Sequence, residues 1–332
     1  MTTHYDITDA PPIPGLQFRS FAGVTDAGAL HAILSGSVVA DGFDPLSSAE
    51  SLWTTDQFAE SLAAMTAAGS EDRTILAEID GRPAGYNRLW DWEEMDGTRV
   101  WLNVGWVLPE WRGRGLGTAL LHWSEQRTRE LAAAQPGRWE YAANASGTEV
   151  AATALLRDNG YLVVYTVLEM GLDWAAFAPV TTLPPGIEMR SGDIDHAGQI
   201  AASIHEAYRG EFEGGRFNER FDSADYAEEL TGQPHDPTLW RVAWAGDEVV
   251  GQVIPKIERG RAEIYEVSVR PGWRRGGVAR ALLSAALLGL GAREVEVVRL
   301  HTNAEFRTRA VDLYESLGFR VLKEFPRYRK AS

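Results

Sequence analysis

Residues 269–283 read VRPGWRRGGVARALL, and residues 107–121 read VLPEWRGRGLGTALL. In each stretch an apolar strand ends at a proline, the chain turns through arginines and glycines, and an apolar helical stripe begins. Two copies of one strand-turn-helix device in a chain of 332 residues indicate a tandem duplication. The chain is long enough for two domains of about 150 residues, and we expect two similar domains that contain both strands and helices.

The segments around the two copies support the same division. Pro185-Gly186-Ile187 echoes Pro14-Gly15-Leu16, and LGF near residue 318 echoes NGY near residue 160. Periodicity predicts a strand, two helices, three strands, the turn with its helix, and then a strand, a helix and a strand. The predicted organisation is a flexible arm at 1–15, an N-terminal domain at 16–173, a linker at 174–186 and a C-terminal domain at 187–330.

The composition is that of an ordinary globular protein. Apolar residues make up 45% of the chain, cysteine is absent, and no apolar run reaches the roughly 20 residues that span a membrane. The first residues lack the basic and apolar regions of an export signal, so a cytoplasmic protein is expected. With 47 acidic against 32 basic residues, the surface disfavours nucleic acid and anionic membranes and favours cationic partners.

The repeated turn has the form R-x-x-G-x-(G/A) in both copies. Glycine at a strand-to-helix turn leaves backbone N–H groups at the start of the helix unpaired, and the helix dipole attracts an anion there. A phosphate or pyrophosphate is the expected ligand, although a tight connection without a ligand would also use glycine. Neither GxxxxGK(S/T) nor the GxGxxG of dinucleotide-binding domains is present, and the histidines show no HExxH spacing, so no metal site is expected.

With this motif, the chain resembles the GNAT superfamily of acyl-coenzyme A-dependent N-acyltransferases, whose hallmark is (Q/R)-x-x-G-x-(G/A) after a V-x-P strand end. The resemblance implies an α/β (α+β) fold in which two tandem domains each have a mixed, mostly antiparallel, splayed sheet flanked by helices. It also implies acetyl-coenzyme A as co-substrate. Binding would involve Val267, Val269, Arg274, Arg275, Gly276, Gly277, Val278, Ala279 and Asn303, and in the first copy Val107, Arg112, Gly113, Arg114, Gly115, Leu116 and Gly117.

Transfer of an acyl group to an amine needs a base for the ammonium and an acid for the departing thiolate. Glu266 lies on the strand before the second turn, where the resemblance places a base, and it could otherwise face solvent or pair with an arginine. Tyr314 precedes Gly318 and Phe319 in the family's Y-x-x-x-G-F ending, which makes it the candidate acid, although such a tyrosine can also be a core residue. Without cysteine the amine must attack the thioester directly.

The first copy lacks both groups. Val104 stands at the position of Glu266, and Leu156 stands at the position of Tyr314. The first domain is therefore predicted to be non-catalytic, which resembles the architecture of mycothiol synthases.

The predicted acceptor is a primary amine of a small molecule, and the acidic composition favours a cationic one. The segment at 205–230 could recognise it through Glu206, Glu211 and Glu213, with Tyr208 and Phe212 as apolar walls, or could be a solvated loop. A non-catalytic sensor or scaffold that binds acyl-coenzyme A is the alternative function. The oligomeric state is left open.

Overall fold

The computed structural model describes residues 3–50, 52–209, 223–232, 236–258, 260–305 and 309–332, with the side chains of residues 223–225 left out. The chain forms two compact units. Unit 1 contains Met1–Glu93, Gly97–Val164 and Phe325–Ser332. Unit 2 contains Glu94–Asp96 and Tyr165–Glu324.

The first half of the chain follows the predicted order of strands and helices. Its elements are β1 (His4–Tyr5), β2 (Leu16–Ser20), α1 (Ala27–Ser37), α2 (Thr55–Ala67), β3 (Thr74–Ile79), β4 (Arg82–Glu93), β5 (Arg99–Val107), α3 (Leu116–Ala133), β6 (Trp139–Asn144), α4 (Val150–Asp158) and β7 (Leu162–Leu172). Local signals explain several bounds. A capping box between Thr54 and Gln57 starts α2, and Asp80 and Gly81, both with positive φ, form the turn between β3 and β4.

The second half repeats this order among its described residues. Its elements are β8 (Glu188–Ser191), α5 (Ala197–Tyr208), α6 (Ser223–Thr231), β9 (Arg241–Ala245), β10 (Glu248–Glu258), β11 (Arg261–Val269), α7 (Val278–Gly291), β12 (Val297–Asn303), α8 (Ala310–Glu315) and β13 (Phe319–Ala331). In both units neighbouring strands are antiparallel except for one parallel pair, which is β5 with β6 in unit 1 and β11 with β12 in unit 2. The predicted fold class is confirmed.

Each sheet opens at its parallel pair. In unit 2 the last paired residues of β11 and β12 are Ile264 and Leu300, while β11 continues to Val269. In unit 1 the corresponding last pair is Asn103 with Ala143. The ends of β5 and β11 therefore diverge from their parallel neighbours just before the repeated turns, which is the splay that the family resemblance implies.

The closing strands are exchanged between the repeats. In unit 1, β6 pairs with residues 327–331 of β13 from the end of the chain. In unit 2, β12 pairs with residues 167–171 of β7 from the first half. The predicted boundary at residue 173 therefore differs from the division in the structure. Sequence repetition shows that a strand recurs, but it does not show which sheet that strand joins.

The N-terminal residues and the linker both pack against the units. Tyr5 and Ile13 contact the apolar cluster beneath α3, and the ring of Tyr5 lies 5.7 Å from that of Trp123. The linker residue Trp174 donates its indole N–H to the carbonyl of Glu296 at 2.9 Å. Apolar side chains hold these segments in place, although their proline-rich composition predicted little order. No helix within the described residues is both long and apolar enough to cross a bilayer.

Candidate active site

The repeated turn forms a concave row of backbone N–H groups in each unit. Gly277 precedes α7 with φ of 90°, and Gly115 precedes α3 with φ of 89°. Arg275 and Gly113, two residues earlier, are also left-handed, with φ of 66° and 69°. Alternating left-handed residues turn successive N–H groups toward one point, and the helix dipole adds positive potential there. Both turns are therefore shaped to bind an anion.

The first arginine of each motif braces the turn against the strand that precedes it. The Nε of Arg274 donates to the carbonyl of Val269 at 2.9 Å, and its Nη2 donates to the carbonyl of Ala207. The Nε of Arg112 donates to the carbonyl of Val107 at 2.8 Å, and its guanidinium forms an ion pair with Asp41. These arginines fix the geometry of the turn, and the N–H groups that follow them face the ligand.

A cavity of about 590 Å³ opens in unit 2 where β11 and β12 diverge. Most of the predicted binding residues line it, namely Val267, Val269, Arg274, Arg275, Gly277, Val278 and Ala279, together with the predicted acid Tyr314. Among the described residues its wall does not include Gly276, Glu266 or Asn303. The side-chain oxygen of Asn303 accepts from the backbone N–H of Glu305 at 2.8 Å, so this oxygen is used within its own turn.

Glu266 is buried behind the cavity wall, with 7% of its surface exposed. The hydroxyl of Tyr208 donates to its Oε1 at 3.2 Å, and both Tyr208 and its neighbour Ser268 line the cavity. Burial raises the pKa of Glu266 to about 7, and hydrogen bonds from Ser268 and Tyr208 oppose that rise. A carboxyl group with this pKa changes its protonation state at neutral pH, which suits a general base.

Tyr314 reaches the same cavity from α8. Burial is the main cause that raises its pKa above the ordinary value, the negative charge of Glu266 adds to the rise, and a hydrogen bond with Thr302 opposes it. The hydroxyl therefore keeps its proton at neutral pH and can donate it. The ring also packs in the apolar core, 6.0 Å from the ring of Phe319. Tyr314 thus holds a proton beside the cavity on a ring whose position is fixed by packing.

Sequence reasoning missed several polar partners in this site. It treated Tyr208 as an apolar wall, whereas the structure has Tyr208 donating to Glu266. Ser268 could have been found, because residues two apart on a strand share a face. The predicted acceptor contact Glu206 forms an ion pair with Arg270, so its charge is balanced within the protein. Glu211, Phe212 and Glu213 lie outside the described residues.

Unit 1 has a cavity of about 750 Å³ at the corresponding place. Among the predicted binding residues, Val107, Arg112, Gly113, Gly115 and Gly117 line it, while Arg114 and the buried Leu116 are outside its wall in the described chain. Val104 and Leu156, at the positions of the base and the acid, also line the cavity. Neither side chain can transfer a proton, so this cavity keeps the anion-binding turn without the acid and the base.

Two segments of the chain, residues 43–161 and 201–319, match the model of the acetyltransferase (GNAT) family. The chain belongs to this family. Each match contains one anion-binding turn with its splayed strands, so both units are GNAT domains and the protein is an acyltransferase. The second match contains Glu266 and Tyr314.

Proteins named as mycothiol acetyltransferases are similar to most of this chain. A mycothiol acetyltransferase of Streptomyces scabiei is 30% identical over 258 residues, which cover 74% of this chain and 76% of that protein. One of Nocardia farcinica is 30% identical over 300 residues, covering 88% and 90%. The similarity therefore extends over most of this chain and most of each of these two relatives.

Solved structures show the same fold. A GCN5-related N-acetyltransferase from Sphaerobacter thermophilus has a TM-score of 0.73 at 24% identity and covers 96% of both chains. A tandem GNAT protein from the clavulanic acid biosynthesis pathway has a TM-score of 0.62 at 16% identity, covering 95% of this chain and 98% of that one. In the described part of the GNAT chain, no group of three or more His, Asp or Glu side chains is arranged to hold a metal ion.

Proposed function

We propose that the protein transfers an acetyl group from acetyl-coenzyme A to a primary amine of a small molecule, and that the reaction takes place in unit 2. The observation that carries this proposal is the pairing of two proton-handling groups with one cavity. Tyr314 lines the cavity beside the turn at Gly277, and Glu266 lies directly behind its wall. Unit 1 has Val104 and Leu156 instead, so we propose that it is non-catalytic.

The residues present fit coenzyme A. The N–H groups that precede the first helical hydrogen bond of α7, from Ala281 to Gly277, face away from the helix and suit a pyrophosphate. The described pairing of β11 with β12 ends at Ile264, so the backbone of Val267 can bond an amide-containing arm, whereas the carbonyl of Val269 already accepts from the Nε of Arg274. When bound, acetyl-coenzyme A supplies an acyl group activated as a thioester.

Two side chains of unit 2 then carry out the two proton transfers of the reaction, one from the amine and one to the departing sulfur. Glu266 accepts a proton from the incoming ammonium, through the hydroxyl of Tyr208 or Ser268 or through a water, because it does not itself line the cavity. Its pKa of about 7 leaves a large part of it ionised at neutral pH. Tyr314 holds the proton that the departing sulfur needs. With no cysteine in the chain, the amine attacks directly.

The acceptor is proposed from the relatives and from charge. The relatives are named as mycothiol acetyltransferases, which supports a small molecule as acceptor. Glu266 lies near the cavity and the chain carries a net charge of −15, so we propose that the amine belongs to a cationic or neutral molecule. A cytoplasmic location is part of the same proposal.

The test is a panel of primary amines, including amino acids, amino sugars, polyamines and aminothiols, incubated with the full chain and acetyl-coenzyme A. Release of coenzyme A is measured by chromatography, because a thiol reagent would also react with aminothiol acceptors. We expect one class of amine to be acetylated and Glu266→Gln to abolish most of that release. Binding of coenzyme A without turnover on any amine would contradict the proposal and favour a sensor that only binds acyl-coenzyme A.

A further inference from the structure

The cavity of unit 1 contains a buried arginine that the acyltransferase reaction does not use. Arg88 lies on β4, lines the cavity, and is only 3% exposed. Within the described residues no carboxylate lies at ion-pair distance from it. A buried guanidinium without a counter-ion is costly, and buried charges are normally paired. The position of Arg88 therefore requires an explanation.

The contacts of Arg88 hold it in place and leave donors unused. Its Nη2 donates to the hydroxyl of Ser61 at 2.8 Å, and its guanidinium lies 5.9 Å and 4.9 Å from the ring centres of Trp53 and Trp90. Its Nε has no acceptor, and the indole N–H of Trp106, also in the cavity wall, has none either. Both of these nitrogens are themselves buried, and the Nη2 of Arg88 also donates to the Sδ of Met65 at 3.1 Å. The guanidinium is thus held by neutral groups alone, and a ligand in the cavity would reach it at its Nη atoms.

The other charged groups of this cavity are balanced differently. Arg112 is paired with Asp41. Burial raises the pKa of Glu149, the charges of Asp41 and Glu50 add to the rise, and hydrogen bonds with Ser146 oppose it. An anion with several charges would meet these carboxylates. A single negative charge matches Arg88, because Arg112 is already paired with Asp41 and Arg327, the third arginine of the wall, donates to the carbonyl of Phe325.

Strand register relates Arg88 to the catalytic position of unit 2. Arg88 lies directly opposite Val104 on β5, and Ile254 lies directly opposite Glu266 on β11. Opposite residues of an antiparallel pair point to the same face of the sheet. Unit 2 has a carboxyl group on that face, whereas unit 1 has a cation on the neighbouring strand, so the charge of the side chain at this place differs between the two units.

We propose that the cavity of unit 1 binds the carboxylate of a small aromatic or apolar molecule, with Arg88 as the anchoring cation. The apolar part of the ligand lies against the aromatic wall, in which Trp53 and Phe58 are 5.3 Å apart and Tyr86 and Trp106 are 5.8 Å apart. Aromatic rings beside a guanidinium suit a flat monocarboxylate, since they supply apolar area around one charged hydrogen-bond donor.

The test measures binding of phenylacetate to the full chain by calorimetry, with phenylacetamide as the neutral molecule of the same shape and phosphate as the multiply charged anion. We expect phenylacetate to bind more tightly than phenylacetamide, and phosphate bound at the glycine turns to be insensitive to Arg88→Met. Arg88→Met should weaken phenylacetate binding about tenfold or more and leave phenylacetamide unchanged, because a charge-assisted hydrogen bond is lost. Arg138→Met, which removes an exposed arginine of unit 1 outside the cavity, should change neither.

The acid and amide comparison uses the unaltered chain, so the proposal can be tested even where Arg88→Met fails to fold. Arg88→Lys, which keeps the charge, serves as the second variant and should retain part of the binding. Equal affinity for phenylacetate and phenylacetamide, or unchanged phenylacetate binding in Arg88→Met, would each overturn the proposal. Because coenzyme A release by unit 2 is measured separately, this outcome is independent of the proposed catalysis.

Discussion

Replacement of Glu266 by glutamine is the sharpest perturbation of the proposed mechanism. Glutamine keeps the size of the side chain and can still bond Tyr208, but it cannot accept a proton from an ammonium. A positioned general base contributes about 10²–10⁴-fold to rate. We expect kcat with the acceptor identified by the amine panel to fall by at least about 100-fold at pH 8, with little change in the affinity for coenzyme A.

The pKa of Glu266 gives this prediction a pH dependence. Its carboxyl group has a pKa of about 7, so the ionised form dominates at pH 8 and decreases about tenfold for each pH unit below 7. At pH 5 roughly 1% of the natural enzyme has an ionised Glu266. The rate of the natural enzyme should therefore fall toward that of Glu266→Gln, and the difference between the two should nearly close.

The assay is coenzyme A release between pH 5 and pH 9, and Glu258→Gln is the matched control. Glu258 is exposed at the far end of the neighbouring strand, so the same substitution there should leave the pH profile intact. A natural enzyme whose rate stays constant from pH 5 to pH 7, or a Glu266→Gln variant with more than half of the natural rate, would refute the role of Glu266 as base.

The same substitution should change the pH dependence of stability. A carboxyl whose folded pKa is raised contributes stability that is fully present below its ordinary pKa, 4.5, and lost as the pH rises through about 7. Each tenfold change in proton affinity is worth about 1.4 kcal/mol, so the loss is roughly 3 kcal/mol. The Glu266→Gln variant has no ionisable carboxyl at this position, so its stability does not fall in this way as the pH rises. Chemical denaturation should show the variant gaining stability relative to the natural chain between pH 5 and pH 8.

Three further substitutions test the surroundings of the site. In Tyr208→Phe, the pH at which the rate is half-maximal should move above 7, because the hydrogen bond from Tyr208 lowers the pKa of Glu266; a midpoint that stays or falls would contradict this. In Tyr314→Phe, turnover should drop while calorimetry finds coenzyme A binding near normal, and unchanged turnover would remove Tyr314 from the mechanism. In Gly277→Ala, coenzyme A should bind more weakly, since φ of 90° costs a residue with a side chain about 1–2 kcal/mol; Gly272→Ala, at an unstrained glycine with open space around it, is the control that should bind normally.

Much of the fold could be predicted because its signals are local and repeated. The strand-turn-helix device at 107–121 and 269–283 gave the duplication, and hydrophobic periodicity gave the order of elements that both units show. The loss of proton-transferring groups in the first copy was also visible, since Val104 and Leu156 line the cavity of unit 1 at the expected positions. These features depend on residues near one another in sequence.

The features that were missed depend on pairing between distant segments. The exchange of β7 and β13 cannot be read from the repeat, because each strand carries the same pattern whichever sheet it joins. The sequence pattern places Arg88 in a strand, but nothing in its neighbours marks it as buried and without a counter-ion. Burial and partners are set by α2 packing over the strand, which brings Ser61 to the guanidinium.

The two cavities also differ in the backbone of the strand pair beside them, and a proline in the sequence accounts for that difference. The register of β10 with β11 shifts by one residue between Ile254 and Pro255, so Tyr265 is the bulged residue between the paired positions Ile264 and Glu266. Proline has no N–H to donate, and such positions favour a bulge, which redirects the side chains beside it. In unit 1 the pairing of β4 with β5 runs through Arg88 and Val104 without a shift. The bulge therefore lies next to Glu266, whereas the described pairing of β4 with β5 has none, so the placement of the proposed base depends on a proline as well as on the glutamate itself.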